Sequence, residues 1–179
     1  MSGFLSQMIR NLPGWTGERI WEGNLQAALR VLESNCDGYY TYIQEEWPTE
    51  ENLREDITAL PPGRSLSHKT FALLYREGVT AAVMDYIEGY PDEGTGYVGL
   101  FLLDRSLHRQ GVGTQLFSAL ERATVQTGKF RLELGCYETN GPGLSFWRKQ
   151  GFTELRRKPR IGADGETRML LSLGKTLKK

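Results

Sequence analysis

The sequence has little of what staples a chain, binds a metal or crosses a membrane. Its two cysteines, Cys36 and Cys136, and two histidines, His68 and His108, form no CxxC and no Cys/His cluster, which argues against a disulfide framework and a zinc site. No apolar run approaches the ~20 residues that a spanning helix needs. Residues 1–15 lack the unbroken apolar stretch of a secretory signal, so the expected compartment is the cytoplasm. Nor is there an excess of charge of either sign: 22 Lys+Arg stand against 22 Asp+Glu, which excludes a globally basic nucleic-acid binder. Internal repeats and low-complexity tracts are missing as well.

What remains is an ordinary globular composition, 39% hydrophobic and 25% charged over 179 residues. That length suits one domain, 1–179, able to bury a core without staples. The zero net charge conceals a split. Residues 1–96 carry 7 basic and 15 acidic side chains, whereas residues 97–179 carry 15 basic and 7 acidic. Such asymmetry points to halves that face different ligands, against the plainer reading of an unevenly charged surface.

Periodicity then gives the elements. Residues 18–22 read as a short strand, followed by a helix capped by Asn24 with Leu25, Ala28, Leu29 and Leu32 at helical spacing. A second helix starts at Thr49 and ends at Pro61-Pro62-Gly63. From Lys69 the period becomes that of strands, with a tight turn at Glu77-Gly78. The almost wholly apolar run 97–103 predicts a central strand covered on both faces. Gly111 and Gly113 open a long helix; the alternation of Phe130, Leu132, Leu134 and Cys136 predicts another strand, with Cys136 a small apolar strand residue. A short helix after Asn140 and two strands around Asp164-Gly165 complete a mixed α/β (α+β) chain. The strand–helix–strand crossover in its middle should be right-handed and parallel.

The stretch that carries chemistry is His108-Arg109-Gln110-Gly111-Val112-Gly113-Thr114, set between a buried strand and a helix. Successive unpaired amides at a helix start, with the positive end of the dipole behind them, suit a pyrophosphate; the plain alternative is a turn into a helix. No Gly-Lys-Ser/Thr follows and the third glycine of a dinucleotide fingerprint is missing, which weakens the nucleoside-triphosphate and nicotinamide readings. Downstream, Asn140-Gly-Pro-Gly143-Leu-Ser-Phe146-Trp147-Arg-Lys-Gln-Gly151-Phe152 sits after the next strand.

Together the two stretches resemble the GNAT superfamily of acetyl-CoA-dependent N-acetyltransferases. The first follows its Arg/Gln-x-x-Gly-x-Gly/Ala pattern and the second its Asn-x-x-Ala-x-x-Phe-Tyr-x-x-x-Gly-Phe pattern. The resemblance implies a mixed, mostly antiparallel sheet of six to seven strands flanked by about four helices, its central parallel strands splayed around the pantetheine arm. It divides the chain into acceptor-side helices over about 1–66 and an acetyl-CoA-binding core over about 67–179. By position, Phe101 N–H would polarise the thioester, with Leu102 and Leu103 beside the pantetheine. The amides of Gln110, Gly111, Val112, Gly113 and Thr114 would hold the pyrophosphate, with His108 and Arg109 nearby. Asn140, Gly143, Phe146 and Trp147 would shape the rest, and Arg148 or Lys149 could reach the 3′-phosphate. His108, Gly143 and Trp147 depart from the family pattern; the last replaces a tyrosine acid, and an indole cannot do that work. Tyr137 is then a substitute proton donor.

An alkylamine is mostly protonated near neutrality, so a base is expected among Glu88, Asp85 and Tyr97. Tyr39, Tyr40, Trp47 and Tyr90, beside Asp37, Glu45 and Glu46, would shape the mouth for an amine acceptor of a small molecule or peptide, cationic in character. The expectation is therefore an N-acetyltransferase with acetyl-CoA as co-substrate, no metal, no nucleic-acid or membrane partner, and a homodimer as one oligomeric option. A non-catalytic acyl-CoA sensor of the same fold and a different phosphate-binding enzyme are the alternatives.

Overall fold

Seven strands follow from the alternating and apolar runs. They are β1 (Trp15–Arg19), β2 (Lys69–Arg76), β3 (Val79–Glu88), β4 (Thr95–Leu103), β5 (Arg131–Tyr137), β6 (Thr153–Ile161) and β7 (Thr167–Thr176). In the computed structural model, which describes residues 3–10, 12–162 and 164–178, they form one sheet in the order β1-β2-β3-β4-β5-β7-β6. Met1, Ser2 and Asn11 of the leading segment lie outside the described residues. Every neighbouring pair is antiparallel except β4 and β5, which run parallel as the crossover rule requires. Among the described residues six α-helices accompany the sheet: α1 (Gly3–Ile9), α2 (Leu25–Glu33), α3 (Thr41–Ile43), α4 (Glu50–Thr58), α5 (Val112–Gln126) and α6 (Gly141–Lys149). No helix among the described residues is long and apolar enough to cross a membrane.

Local chemistry sets most of the boundaries. Glu77 (φ 51°) and Gly78 (φ 80°) both take left-handed backbone, the turn whose twist matches a β2–β3 hairpin. Thr49 caps α4 in a reciprocal box with Asn52. Asn24 behaves differently from expectation. Its side chain accepts from Trp21 N–H and donates to the Arg19 carbonyl, bracing the bend before α2 instead of capping that helix. The first strand also begins earlier than 18–22, because Trp15 pairs with Arg76 and buries its ring. Phe130 precedes β5 and stays half-exposed, its ring lying against Gly94.

Each face of the sheet carries its own core. On one, Met84, Tyr86, Val98, Leu132 and Leu134 meet α5 and α1, with Phe4 stacked on Tyr86 at 3.9 Å between ring centres. On the other, Phe71, Leu73, Val83 and Leu102 meet Leu25, Val31 and Leu53 from α2 and α4. The apolar run of β4 is thus covered twice over in its second half.

One break in this order positions the site. β4 pairs with β5 only over residues 95–98 against 131–134. On the β3 side, Asp85 faces Leu100 and Tyr86 faces Val98, so Gly99 is an extra, unpaired residue. Such a bulge bends its strand, and here it turns β4 away from β5. Glycine is required at this position because a Cβ would stand 2.8 Å from Asp85 Oδ2. That carboxylate is engaged in turn by Lys69 Nζ at 2.9 Å, which also donates to the Ala59 carbonyl.

Candidate active site

Past the bulge, β4 has an edge inside the molecule. Asp104 N–H donates to the Ala81 carbonyl and Leu103 stands opposite Ala82. Bonded and non-bonded pairs alternate along an antiparallel ladder, so Leu100 and Leu102 exchange hydrogen bonds with β3. Phe101 and Leu103 direct their N–H and C=O groups the other way, where β5 has departed. The Leu103 carbonyl is already satisfied by Asn35 Nδ2 at 2.9 Å and by the His108 ring at 3.1 Å. That leaves the Leu103 N–H and both polar groups of Phe101 facing the gap. Leu102 has its side chain in the α2/α4 core and its backbone in the ladder.

The turn from β4 into α5 is built to leave amides free. Asp104 Oδ1 accepts from Ser106 N–H and caps a 3-10 turn over Arg105–Leu107. Arg109 (φ 59°) and Gly111 (φ 77°) then take left-handed backbone and aim the chain into the helix. Among the described residues, no backbone or side-chain acceptor meets the amides of residues 109–114. These donors stand at the positive end of a 15-residue helix, an arrangement that attracts anions. Gly113 lies under the Phe146 ring, 3.4 Å from where a Cβ would be.

The second stretch is a cap followed by an aromatic wall. Asn140 Oδ1 accepts from Gly143 N–H at 3.0 Å and fixes the start of α6. A Cβ on Gly143 would collide with that same side chain. Trp147, 9% exposed, packs its ring 5.8 Å from Phe101, 4.9 Å from Phe146 and 5.4 Å from both Phe117 and Phe152. Arg148 and Lys149 are exposed on the far side of the helix.

Between the splayed strands lies a cleft of about 230 Å³. Phe101, Cys136, Asn140 and Trp147 line it together with Tyr39, Glu45, Tyr97, Tyr137 and Arg160. Tyr137 donates its hydroxyl to Glu45 Oε1 at 2.9 Å. Burial and this carboxylate hold its proton more tightly than an ordinary phenol does. The Tyr97 hydroxyl hangs over Gly135 while Tyr90 meets the Tyr97 ring edge-on at 5.4 Å, and burial raises its pKa too. Burial pushes the Cys136 thiol up to about 11, so it stays protonated near neutrality and is no ready nucleophile.

Several expected residues lie elsewhere. Glu88 ends β3 opposite Gly96 and does not line the cleft; burial raises its carboxyl against the opposing pull of Lys129 and His68. Tyr40 packs beside α2 and α4, edge-on to Tyr39 at 5.1 Å. Trp47 is 64% exposed. Asp85 lies beneath Gly99, its carboxyl raised by burial in spite of Lys69. Conversely, Glu45 had stood out only as an acidic neighbour of aromatics, and Arg160 only as one cation in a basic half. Nothing local marks either residue, because they meet only through the fold.

The family model described as "Acetyltransferase (GNAT) family" matches residues 29–152. The chain belongs to this family. None of the curated proteins matches this GNAT chain in sequence, but solved structures match its fold along nearly its whole length. An acetyltransferase from Thermus thermophilus is 23% identical with a TM-score of 0.72, covering 91% of this chain and 97% of its own. A ribosomal-protein-alanine N-acetyltransferase from Brucella melitensis is 19% identical with a TM-score of 0.64, covering 90% and 99%. A protein from Salmonella typhimurium, solved with its cofactor acetyl-CoA, is 14% identical with a TM-score of 0.62, covering 93% and 95%. The present GNAT acetyltransferase fits that cofactor on its own terms: free amides stand where a pyrophosphate needs donors, and an unpaired strand edge stands where an amide-containing arm needs a partner.

Proposed function

We propose that this GNAT acetyltransferase transfers the acetyl group of acetyl-CoA directly to a primary amine of a small molecule or peptide. The observation that carries the reading is the continuity of the cleft, which joins a free strand edge at Phe101 to a hydrogen-bonded Tyr137–Glu45 pair. Acetyl-CoA would supply the activated acyl group. The amides of residues 110–114 bind its pyrophosphate, with Arg109 nearby and Lys149 or Arg148 toward the 3′-phosphate. The Phe101 N–H, fixed before charge develops, steadies the carbonyl oxygen; removal of such a donor elsewhere costs ~3–4 kcal/mol.

Proton handling falls to the Tyr137–Glu45 pair in the same cleft. Glu45 receives a proton as the amine attacks, and Tyr137 gives one to the departing sulfur; the pair then passes the proton between its members. Tyr97 narrows the mouth and orients the incoming amine. Trp147, lodged among Phe101, Phe117, Phe146 and Phe152, walls off water and donates nothing to the sulfur. Tyr39 and Tyr90 supply aromatic surface to a protonated amine. The cytoplasm is the setting in this reading.

Calorimetric titration of acetyl-CoA tests the binding half: saturable binding at sub-millimolar concentration is expected, and its absence refutes the reading. Thiol release with polyamines, amino acids, aminoglycosides and peptides tests the transfer half. The tryptophan in place of a tyrosine acid favours one rival, a protein that binds acyl-CoA without turnover. Binding without release under every acceptor would decide for that rival.

A further inference from the structure

β6 is a basic edge strand on which every residue is exposed, and its arginines differ in one respect. Arg156 approaches Glu133, Arg157 pairs with Glu154 and Glu138, and on the neighbouring strand Arg168 is held by Asp164 and by Gln44. Arg160 has no carboxylate partner among the described residues, yet it lines the cleft together with Glu45, Tyr97 and Tyr137. Burial and the Glu45 carboxylate that accepts its hydrogen bond raise the Tyr137 phenol, and the positive charges of Arg160 and Arg168 oppose them. A guanidinium without a carboxylate partner among the described residues and a carboxylate bonded to the Tyr137 phenol thus line the same cleft.

From this juxtaposition we propose that the acceptor is dipolar, an amino-acid-like molecule whose amine lies at Glu45 and whose carboxylate, or an equivalent oxyanion, is bound by Arg160. The inference rests on the reading of the cleft as the acceptor side of an acetyl transfer. Its chemistry is simple. A planar guanidinium pairs with a carboxylate through two parallel hydrogen bonds, which fixes orientation as well as place. With the anionic end so held, the amine is left for the Glu45 carboxylate in the same cleft that Phe101 lines. The acidic and basic halves of the chain then meet in one substrate: Glu45 belongs to the first, Arg160 to the second.

The test compares L-amino acids of each side-chain class with their decarboxylated amines and their amides, by acetyl-CoA-dependent thiol release in the intact protein. For the best side chain, kcat/KM should be at least tenfold higher for the acid than for either matched compound. Arg160→Gln should collapse that ratio toward one, mainly through KM, and Arg160→Lys should recover part of it. Circular dichroism checks that both variants fold. A wild-type ratio of one or below, or a ratio untouched by Arg160→Gln, overturns the proposal. If amines are acetylated and no amino acid is, the dipolar acceptor falls while the transferase reading stands. If acetyl-CoA does not bind at all, both fall together.

Discussion

In the proposed reaction Tyr137 and Trp147 divide what one tyrosine does in the family pattern. The indole keeps the apolar wall intact, and the phenol lies across the cleft with its proton directed at Glu45. Tyr137→Phe should therefore lower kcat by ~10²-fold, the lower end of what positioned acid–base groups contribute, without weakening acetyl-CoA binding in calorimetry. The pH dependence follows from the direction of the shift. Tyr137 holds its proton above the ordinary phenol value of ~10, so it remains a donor across the neutral range. The rate should climb with pH as the amine loses its proton, and decline only above pH ~10. A pH profile of kcat/KM that falls from neutrality would remove Tyr137 from the role. Elsewhere, Lys69 keeps its ammonium 3% exposed against Asp85. Asp85→Ala would strand that charge and should cost ~3–5 kcal/mol in denaturant unfolding.

The helices on the cofactor side are held by short-range contacts, and each can be loosened separately. Asn140→Ala removes the bond to Gly143 N–H and should cost ~1 kcal/mol of stability, measurable as a lower urea midpoint with an unchanged slope. Gly113→Glu brings a carboxylate to the mouth of the amide turn beside Phe146, and should abolish acetyl-CoA binding in a chain that still folds by circular dichroism. Elements of this kind were legible in the sequence because their causes are local: the hairpin at Glu77-Gly78, the cap at Thr49, the glycine before α5. Those with non-local causes were not. The placement of β1 depends on which residue opposes Arg76 in β2. The helix α1 is only seven residues long and is stabilised by the contacts of Phe4, Leu5 and Met8 with the core. The helical turn over Cys36–Tyr40 and the three-residue α3, which bring Tyr39 and Glu45 to the cleft, are too short to carry a periodicity.

For the molecule as a whole the same division runs through the site. The cofactor side lies within one continuous strand–helix–strand–helix run and could be read from spacing. The cleft proposed as the acceptor side is lined from the turns after α2, from β4, β5 and β6, residues that come together only through the fold. Charge is distributed along the same line. The basic second half holds the amide turn and the cations nearest it, so affinity for acetyl-CoA should weaken several-fold as salt is raised through the range where the Debye length shrinks from ~10 Å to ~3 Å. Binding that ignores salt would mean that the surrounding cations add nothing to the backbone amides.

The departure of β4 from β5 gives the sheet a third margin besides β1 and β6. The outer two are defended in the usual ways, β1 by brevity and charge, β6 by a row of cations and Pro159. In the proposed reaction the inner one must stay open, and it lies between the helix layers that cover the two faces of the sheet. A slender ligand can lie along it, whereas the edge of another sheet cannot. Open, it is a seam along which the two halves of the sheet can part; closed, it is bridged. Occupancy should therefore govern the molecule's lifetime as well as its activity, with the loaded protein melting higher and resisting proteolysis longer than the empty one.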